Sequence, residues 1–332
     1  VTILMLGGVL VLVMTGFPLA YIIGFIGIAV GIFLWEQEVG SVFYLRVYRL
    51  MVNRVLLAVG SNPFQPSMEG VDQEGFYTLR TIDDVLAIRK RADRCLAAGH
   101  RETVVIGGGL LGLECANSLA TLGLEPSVLE HGPWLLNKQI DEQGAAVLEK
   151  QLEQRGIRCL PKAASTAILA DGDGVSAVEL DDGRVVSGHL VLCSAGVRPD
   201  TDVARAAGLA VGHGVLVDSE MRTSEDHVYA AGDVTEYNGE TLCIIPVAIE
   251  QARVAAANMV NPGSEAYHGT VPSTTLKVVG IDLTSMGIIS AQGDGFQELR
   301  KADPTRGVYQ KLVLHDGRIV GAILLGARER VA

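Results

Sequence analysis

"ETVVIGGGLLGLECANSLATLGLEPSVLE", residues 102–130, is the stretch whose reading decides the fold. Thr103 to Ile106 form an apolar run of strand length, Gly107-Gly108-Gly109-Leu110-Leu111-Gly112 form a turn, Leu113 to Leu122 carry a helical pattern, and Ser127 to Glu130 form a second strand. The spacing has a physical reason. Gly107 allows the tight turn, Gly109 lets the backbone approach a pyrophosphate, and Gly112 lets the helix lie close on the strand. A diphosphate then meets free N–H groups and the positive end of the helix dipole. GxGxxG alone is a weak signal. This one follows a strand, opens a helix and is trailed about 20 residues on by Glu130 at the tip of the second strand, which is the context of a dinucleotide fingerprint. The Glu130 carboxylate can accept both ribose hydroxyls and would repel a 2′-phosphate, so NADH is favoured over NADPH. His131 would soften that preference if protonated; it reads as an exposed loop residue.

Outward from this unit, apolar runs of strand length alternate with amphipathic stretches from Val55 onward, the rhythm of doubly wound α/β proteins. A helix is expected near Asp141 to Arg155. "VSAVELDDGRVVSGHLVLCSAGVRPD" (175–200) alternates like a meander, with Asp182-Gly183 as a hairpin turn, and its last strand stops at Gly196, where a missing side chain lets a ligand come close. In "TSEDHVYAAGDV" (223–234), a short strand Val228 to Ala230 runs into Ala231-Gly232-Asp233. Asp233 at a strand's carboxyl edge can hydrogen-bond a sugar-alcohol hydroxyl, or serve as an Asx turn or helix cap.

Composition narrows the function. With 332 residues, 48% of them apolar, the chain can fill the cores of two or more domains. A net charge of −11 argues against a nucleic-acid partner, whose phosphates call for clustered Lys and Arg. Five scattered cysteines without a CxxC pair, and seven histidines without metal-like spacing, indicate neither a thiol-redox centre nor a metal site.

Val1 to Trp35 contain no Asp, Glu, Lys or Arg, which predicts a transmembrane helical segment broken at Thr15-Gly16-Phe17-Pro18. Gly27 and Gly31 would permit close helix contact in lipid. Arg46, Arg49 and Arg54 then put the remainder on the cytoplasmic side of an inner membrane. MTGFPLA (14–20) and FYLRVYRLMVNRVLLAV (43–59) resemble the N-terminus of the large membrane subunit of tripartite ATP-independent periplasmic (TRAP) transporters.

Residues 53–325 resemble the FAD- and NAD(P)-dependent pyridine nucleotide-disulfide oxidoreductases, in particular nitrite reductase large subunits and rubredoxin reductases. The resemblance rests on LLAVGSNPF (56–64), LRTIDD (79–84), VVIGGGLLGLE (104–114), LLNKQID (135–141), SAGVRPD (194–200), VYAAGDV (228–234), PVAIEQA (246–252) and GTVPSTTLKVVGIDLTSMG (269–287). It implies an α/β chain in which a Rossmann-like NAD domain is inserted in a truncated FAD domain behind the transmembrane segment. The boundaries are 1–52 for the membrane segment, 53–100 and 219–268 for the two FAD parts, 101–218 for the NAD(P) domain and 269–332 for a truncated C-terminal α+β segment. It further implies that NADH gives a hydride to a flavin, which passes electrons to an acceptor protein or domain. Gly107, Gly109, Leu110, Leu111, Gly112 and Glu130 would hold NADH, with Glu114 and Gly196 near the nicotinamide. Ala58, Gly60, Arg80, Gly232 and Asp233 would surround FAD, Asp233 taking a ribityl hydroxyl. No side chain need act as acid or base, and the redox disulfide of some relatives is missing.

In those relatives a first GxGxxG cradles the FAD diphosphate, and here the membrane segment takes its place; "LGGVL" (6–10) is no substitute. Charge-assisted contacts of that kind are worth roughly 1.5–3 kcal/mol each, so losing two or three would weaken FAD binding by several powers of ten. Residues 51–59 therefore read as a seam between two unrelated coding segments, and Ala332 as the end of a fragment. The alternative function is a membrane-anchored NADH-binding fragment without flavin or turnover. A transporter subunit is the least favoured.

Overall fold

The computed structural model describes residues 54–326 except 279 and 292. Strands β1 (Val55–Leu57) and β2 (Ser61–Pro63) open the described chain, parted by a turn at Gly60, whose φ of +82° suits glycine. β3 (Phe76–Thr78) leads into helix α1 (Ile82–Ala98). A capping box starts that helix, with the Thr81 hydroxyl accepting from the Asp84 N–H and the Asp84 carboxylate accepting from the Thr81 N–H. β4 (Glu102–Ile106), α2 (Leu110–Thr121), β5 (Glu125–Glu130), α3 (Glu142–Glu153) and β6 (Arg158–Pro161) then alternate. α2 begins at Leu110, earlier than the Leu113 expected from the sequence, because Gly109 is its N-cap and the two leucines of the turn are already helical.

An antiparallel meander follows, β7 (Ser165–Asp171), β8 (Gly174–Leu180) and β9 (Val185–Ser187), with Gly183 at φ +82° in the β8–β9 turn. β10 (Val191–Cys193) returns to complete a parallel sheet of order β3-β10-β4-β5-β6. Its central residues Val104, Val105, Val128 and Leu192 are at most 1% exposed, since Leu113, Leu148 and Leu152 of the helices cover one face and the meander covers the other. Of the 53–100 stretch, β3 is the edge strand of this sheet and α1 packs on it.

β11 (Val197–Pro199) pairs antiparallel with β2, and α4 (Asp202–Ala206) follows. β12 (Val215–Leu216) pairs with β14 (Thr235–Glu236), and β13 (Val228–Ala230) lies parallel to β1. The five-stranded sheet is therefore bracketed, along the chain, by the two strands of a separate pair. After α5 (Ile245–Val260) come β15 (Ser273–Val278), β16 (Ile281–Gly287), β17 (Phe296–Asp303), β18 (Val308–His315) and β19 (Arg318–Leu325), an antiparallel sheet of order β15-β16-β19-β18-β17. Where the sequence reading expects an α+β segment, the described residues after α5 form strands alone. Leu283, Tyr309, Ile323 and Leu325 of this sheet share one core with Leu148 and Leu152 of α3.

The membrane placement is corrected. Among the described residues no helix is long and apolar enough to cross a bilayer, and neither an inner-membrane location nor a transmembrane part of the fold is supported. The segment read as the span, 1–52, lies outside the described residues, as do positions 51–53 of the 51–59 seam.

Candidate functional site: a glycine-lined cavity at the carboxyl edge of the parallel sheet

The turn after β4 is tied on two sides. The Gly107 N–H donates to the Leu129 carbonyl on β5 at 2.7 Å, and the Ser194 N–H beyond β10 donates to the Ile106 carbonyl at 2.7 Å. Gly107 has φ +113°, and a Cβ there would lie 2.2 Å from the Ser194 carbonyl oxygen. At Gly112 a Cβ would lie 2.0 Å from the Gly107 carbonyl oxygen, so α2 can seat on the strand only with glycine at this position. Gly109 differs, because a Cβ there would meet nothing within 4 Å. Its bare backbone faces open space at the start of α2, a helix with no side-chain cap over its first-turn N–H groups. These features fit an anionic ligand group at the helix N-terminus.

Glu130, at the end of β5, is half-buried and already bonded to the turn. One carboxylate oxygen accepts the Gly108 N–H at 2.7 Å and the other accepts the Gly132 N–H at 2.6 Å. A carboxylate has about four acceptor positions, so each oxygen keeps capacity for a further donor while the backbone fixes its place.

A cavity of about 660 Å³ runs along this edge, within the size range of small-molecule sites. Gly107, Gly109, Leu110, Leu111, Glu130 and Gly196 all line it. Gly196 has φ +109° with nothing within 4 Å of a Cβ position. Gly112 lies beneath the wall, and Glu114 sits half-buried in α2 off the wall. The sequence reading quoted the segment 135–141 but gave it no role in the site. Asn137, Lys138 and Gln139 form one wall of the cavity, and the Leu136 N–H donates to the Gly108 carbonyl at 3.0 Å. Leu136 holds φ +52°, a left-handed conformation that no sequence signal predicts for a leucine.

The second set of residues gathers at the carboxyl ends of β1 and β13. Leu57 lies opposite Ala230, and the Ala231 N–H donates to the Leu57 carbonyl at 3.0 Å, so Ala58 and Gly60 come beside Gly232 and Asp233. The buried Ser61 hydroxyl donates to Asp233 Oδ2 at 2.8 Å, and Gln251 Oε1 accepts from the Gly232 N–H at 2.8 Å. The Arg80 guanidinium reaches the same corner, 3.5 Å from a Cβ position on Gly60. This set fits the sugar-alcohol side of a flavin. Among the described residues, the strand–turn–helix at 102–121 is the one GxGxxG unit, and it belongs to the other set. Burial pushes the Cys115 thiol up to about 11 and the Cys159 thiol up to about 12, so both stay protonated and unreactive near neutrality.

The family described as pyridine nucleotide-disulphide oxidoreductase matches residues 41–258, and the rubredoxin NAD+ reductase C-terminal domain matches 272–331. A nitrite reductase [NAD(P)H] of Bacillus subtilis (strain 168) is 34% identical over 276 residues, 82% of this chain and 33% of the relative. Among solved structures, the NAD-dependent persulfide reductase from A. fulgidus matches with a TM-score of 0.73 and 25% identity, covering 84% of this chain and 55% of that one. A ferredoxin reductase from Rhodopseudomonas palustris matches with a TM-score of 0.71 and 26% identity, covering 82% and 67%. The chain spans about a third of the length of the first curated relatives it matches.

Proposed function

The chain belongs to the pyridine nucleotide-disulphide oxidoreductase family, and from that premise we propose that it binds NADH in the 660 Å³ cavity for hydride transfer to FAD and onward electron delivery to a redox protein or domain. The observation that carries this reading is the contrast within one turn. Gly107 and Gly112 are glycines because the protein fills the space beside them, whereas Gly109 is glycine with empty space beside it. The first kind builds the turn; the second leaves room for a ligand.

In this reading the backbone at Gly109, Leu110 and Leu111 binds the diphosphate, and Glu130, held by the Gly108 and Gly132 N–H groups, orients the adenosine ribose and disfavours a 2′-phosphate. Gly196 leaves space for the nicotinamide end, and Glu114 acts from α2 behind it. Asp233, braced by Ser61, presents its other oxygen to a ribityl hydroxyl, with Ala58, Gly60, Gly232 and Arg80 around it. FAD would supply the two-electron chemistry that no side chain offers. The protein's part is to bind, orient and exclude water. The B. subtilis nitrite reductase and the rubredoxin reductase C-terminal match favour a nitrite-reducing domain or a rubredoxin-like carrier as acceptor.

A second reading rests on its own observation. Among the described residues, β13 pairs with β1 on one side and on the other meets 221–223 through a single Arg222–Tyr229 bridge, and Val55 and Leu56 of β1 are 47% and 37% exposed. A flavin site built on so little sheet favours an NADH-binding unit without turnover. The test is to titrate the purified chain with FAD and then NADH anaerobically. Retained flavin that bleaches on adding NADH supports the oxidoreductase; NADH binding with no flavin retained supports the second reading; no response to NADH by fluorescence or melting temperature overturns both.

A further inference from the structure

One lysine of the C-terminal sheet is almost completely buried. Lys311, on β18, is 1% exposed, and its ammonium donates to Asp141 Oδ2 at 2.9 Å and lies 2.8 Å from Glu298 Oε1. Asp141 also accepts the Tyr309 hydroxyl at 2.7 Å and, through Oδ1, the Gly144 N–H at 3.1 Å as the N-cap of α3. Glu298 is satisfied in turn by the Ala291 N–H at 3.0 Å and by the Arg300 guanidinium. A buried ion pair of this kind seldom stabilises more than apolar residues of the same volume, while removing one partner leaves the other buried and unpaired; here the ammonium holds Asp141 and Glu298 at fixed hydrogen-bond distances.

That geometry is imposed next to the cavity. Asp141 ends the segment whose Asn137, Lys138 and Gln139 wall the cavity. A second tie from the same sheet, the Ser285 hydroxyl, donates to the Gln139 carbonyl at 2.5 Å. Within the segment, the Trp134 ring N–H donates to the Ile140 carbonyl at 3.0 Å, and Leu135, Leu136 and Ile140 are buried. At its centre Leu136, at φ +52°, donates to Gly108, the residue whose own N–H is held by Glu130. A leucine stays in that conformation only where its surroundings over-determine it, and the surroundings here are anchored on the C-terminal sheet.

We propose that Lys311 is a positioning residue of the cavity, acting through Asp141 and the 134–140 segment to hold Leu136 against the glycine turn, so that the C-terminal sheet sets the affinity of the dinucleotide site. The ligand in this statement rests on the NADH reading above; the mechanical part does not. Two variants of the full chain test it. Lys311→Met combined with Glu298→Gln removes the ammonium without stranding Glu298 as a charge, and Ser285→Ala removes the second tie while leaving the ion pairs intact.

The readouts are the NADH dissociation constant and the amide hydrogen exchange of Leu136, referenced to Val105 and Leu192 in the parallel sheet. The double variant should weaken NADH at least tenfold and speed Leu136 exchange at least tenfold while Val105 and Leu192 keep their protection. Ser285→Ala should move the same two readouts two- to threefold. Changes under twofold in both variants, or Leu136 and Val105 loosening together, overturn the proposal. If the double variant does not fold, Ser285→Ala decides by the same criteria. If the unsubstituted chain binds no NADH, the dinucleotide reading falls, and Leu136 exchange still decides whether the clamp exists.

Discussion

Gly107 and Gly232 each follow the end of a parallel strand with positive φ, +113° and +84°, yet they are built into different surroundings. β4, before Gly107, has β10 and β5 as neighbours, with Val104 and Val105 fully buried. β13, before Gly232, has β1 as its one regular strand neighbour among the described residues and only an isolated Arg222–Tyr229 bridge on its other side, and β1 exposes Val55 and Leu56. The lesson is that a strand-end motif gets its residue types from local chemistry and its rigidity from the strands beside it. The edge proposed for the dinucleotide has both. The edge proposed for the flavin has the chemistry with one regular flanking strand and a single bridge.

The comparison can be broken most forcefully at Gly112. Gly112→Ala puts a methyl 2.0 Å from a backbone oxygen, and urea denaturation should show a loss of about 3 kcal/mol. Gly232→Ala meets only the Ala248 methyl at 3.5 Å and should cost about 1–2 kcal/mol, the left-handed penalty by itself. Equal losses at the two positions would erase the distinction between a packed edge and an open one.

Gly109→Val should separate binding from folding. NADH titration is expected to weaken roughly a hundredfold, about 2.7 kcal/mol, while stability falls by about 1 kcal/mol or less through the poorer N-cap. A variant that keeps its NADH affinity would mean that the open space beside Gly109 is not where the ligand lies. Glu130→Gln comes next in size. It keeps an oxygen toward one N–H and loses the charge, so the preference for NADH over NADPH should shrink about tenfold, or 1.4 kcal/mol, measured as a ratio of dissociation constants.

A further effect concerns pH. Hydrogen bonding and charge from Lys311 hold the Glu298 carboxyl at about 2, down from 4.5, and hydrogen bonds from Tyr309 and Lys311 lower Asp141 as well, in both cases against the opposing cost of burial. A carboxylate lowered in the folded state contributes stability that is fully present above its unfolded value and lost as pH falls toward the folded one. Thermal melts of the unsubstituted chain should therefore decline between pH 4.5 and about 2, and the decline should flatten in Lys311→Met with Glu298→Gln. An unchanged slope would mean that the ion pairs contribute nothing to joining the C-terminal sheet to α3.

Much of the dinucleotide side was legible because its signals are local. The strand and turn at 102–112, the Asp182-Gly183 hairpin and the strand Val228–Ala230 follow from glycine conformation and short-range hydrophobic period, and the structure has them there. The segment 135–141 gave up its motif but not its place. Leu136 in a left-handed conformation carries no turn residue to announce it, and the sequence analysis singles out no role for Lys311, whose partners Asp141 and Glu298 are brought beside it only by the fold.

The sequence by itself determined that a dinucleotide-type turn exists, which glycines build it and which acid follows it, because those demands lie within one strand–turn–helix. Only the tertiary structure decided that β1 lies against β13, that the 660 Å³ cavity is walled by 137–139, and that a buried lysine from the last sheet caps that wall. Those outcomes depend on which distant segments are brought together, and a local period marks a face as buried without saying what it is buried against.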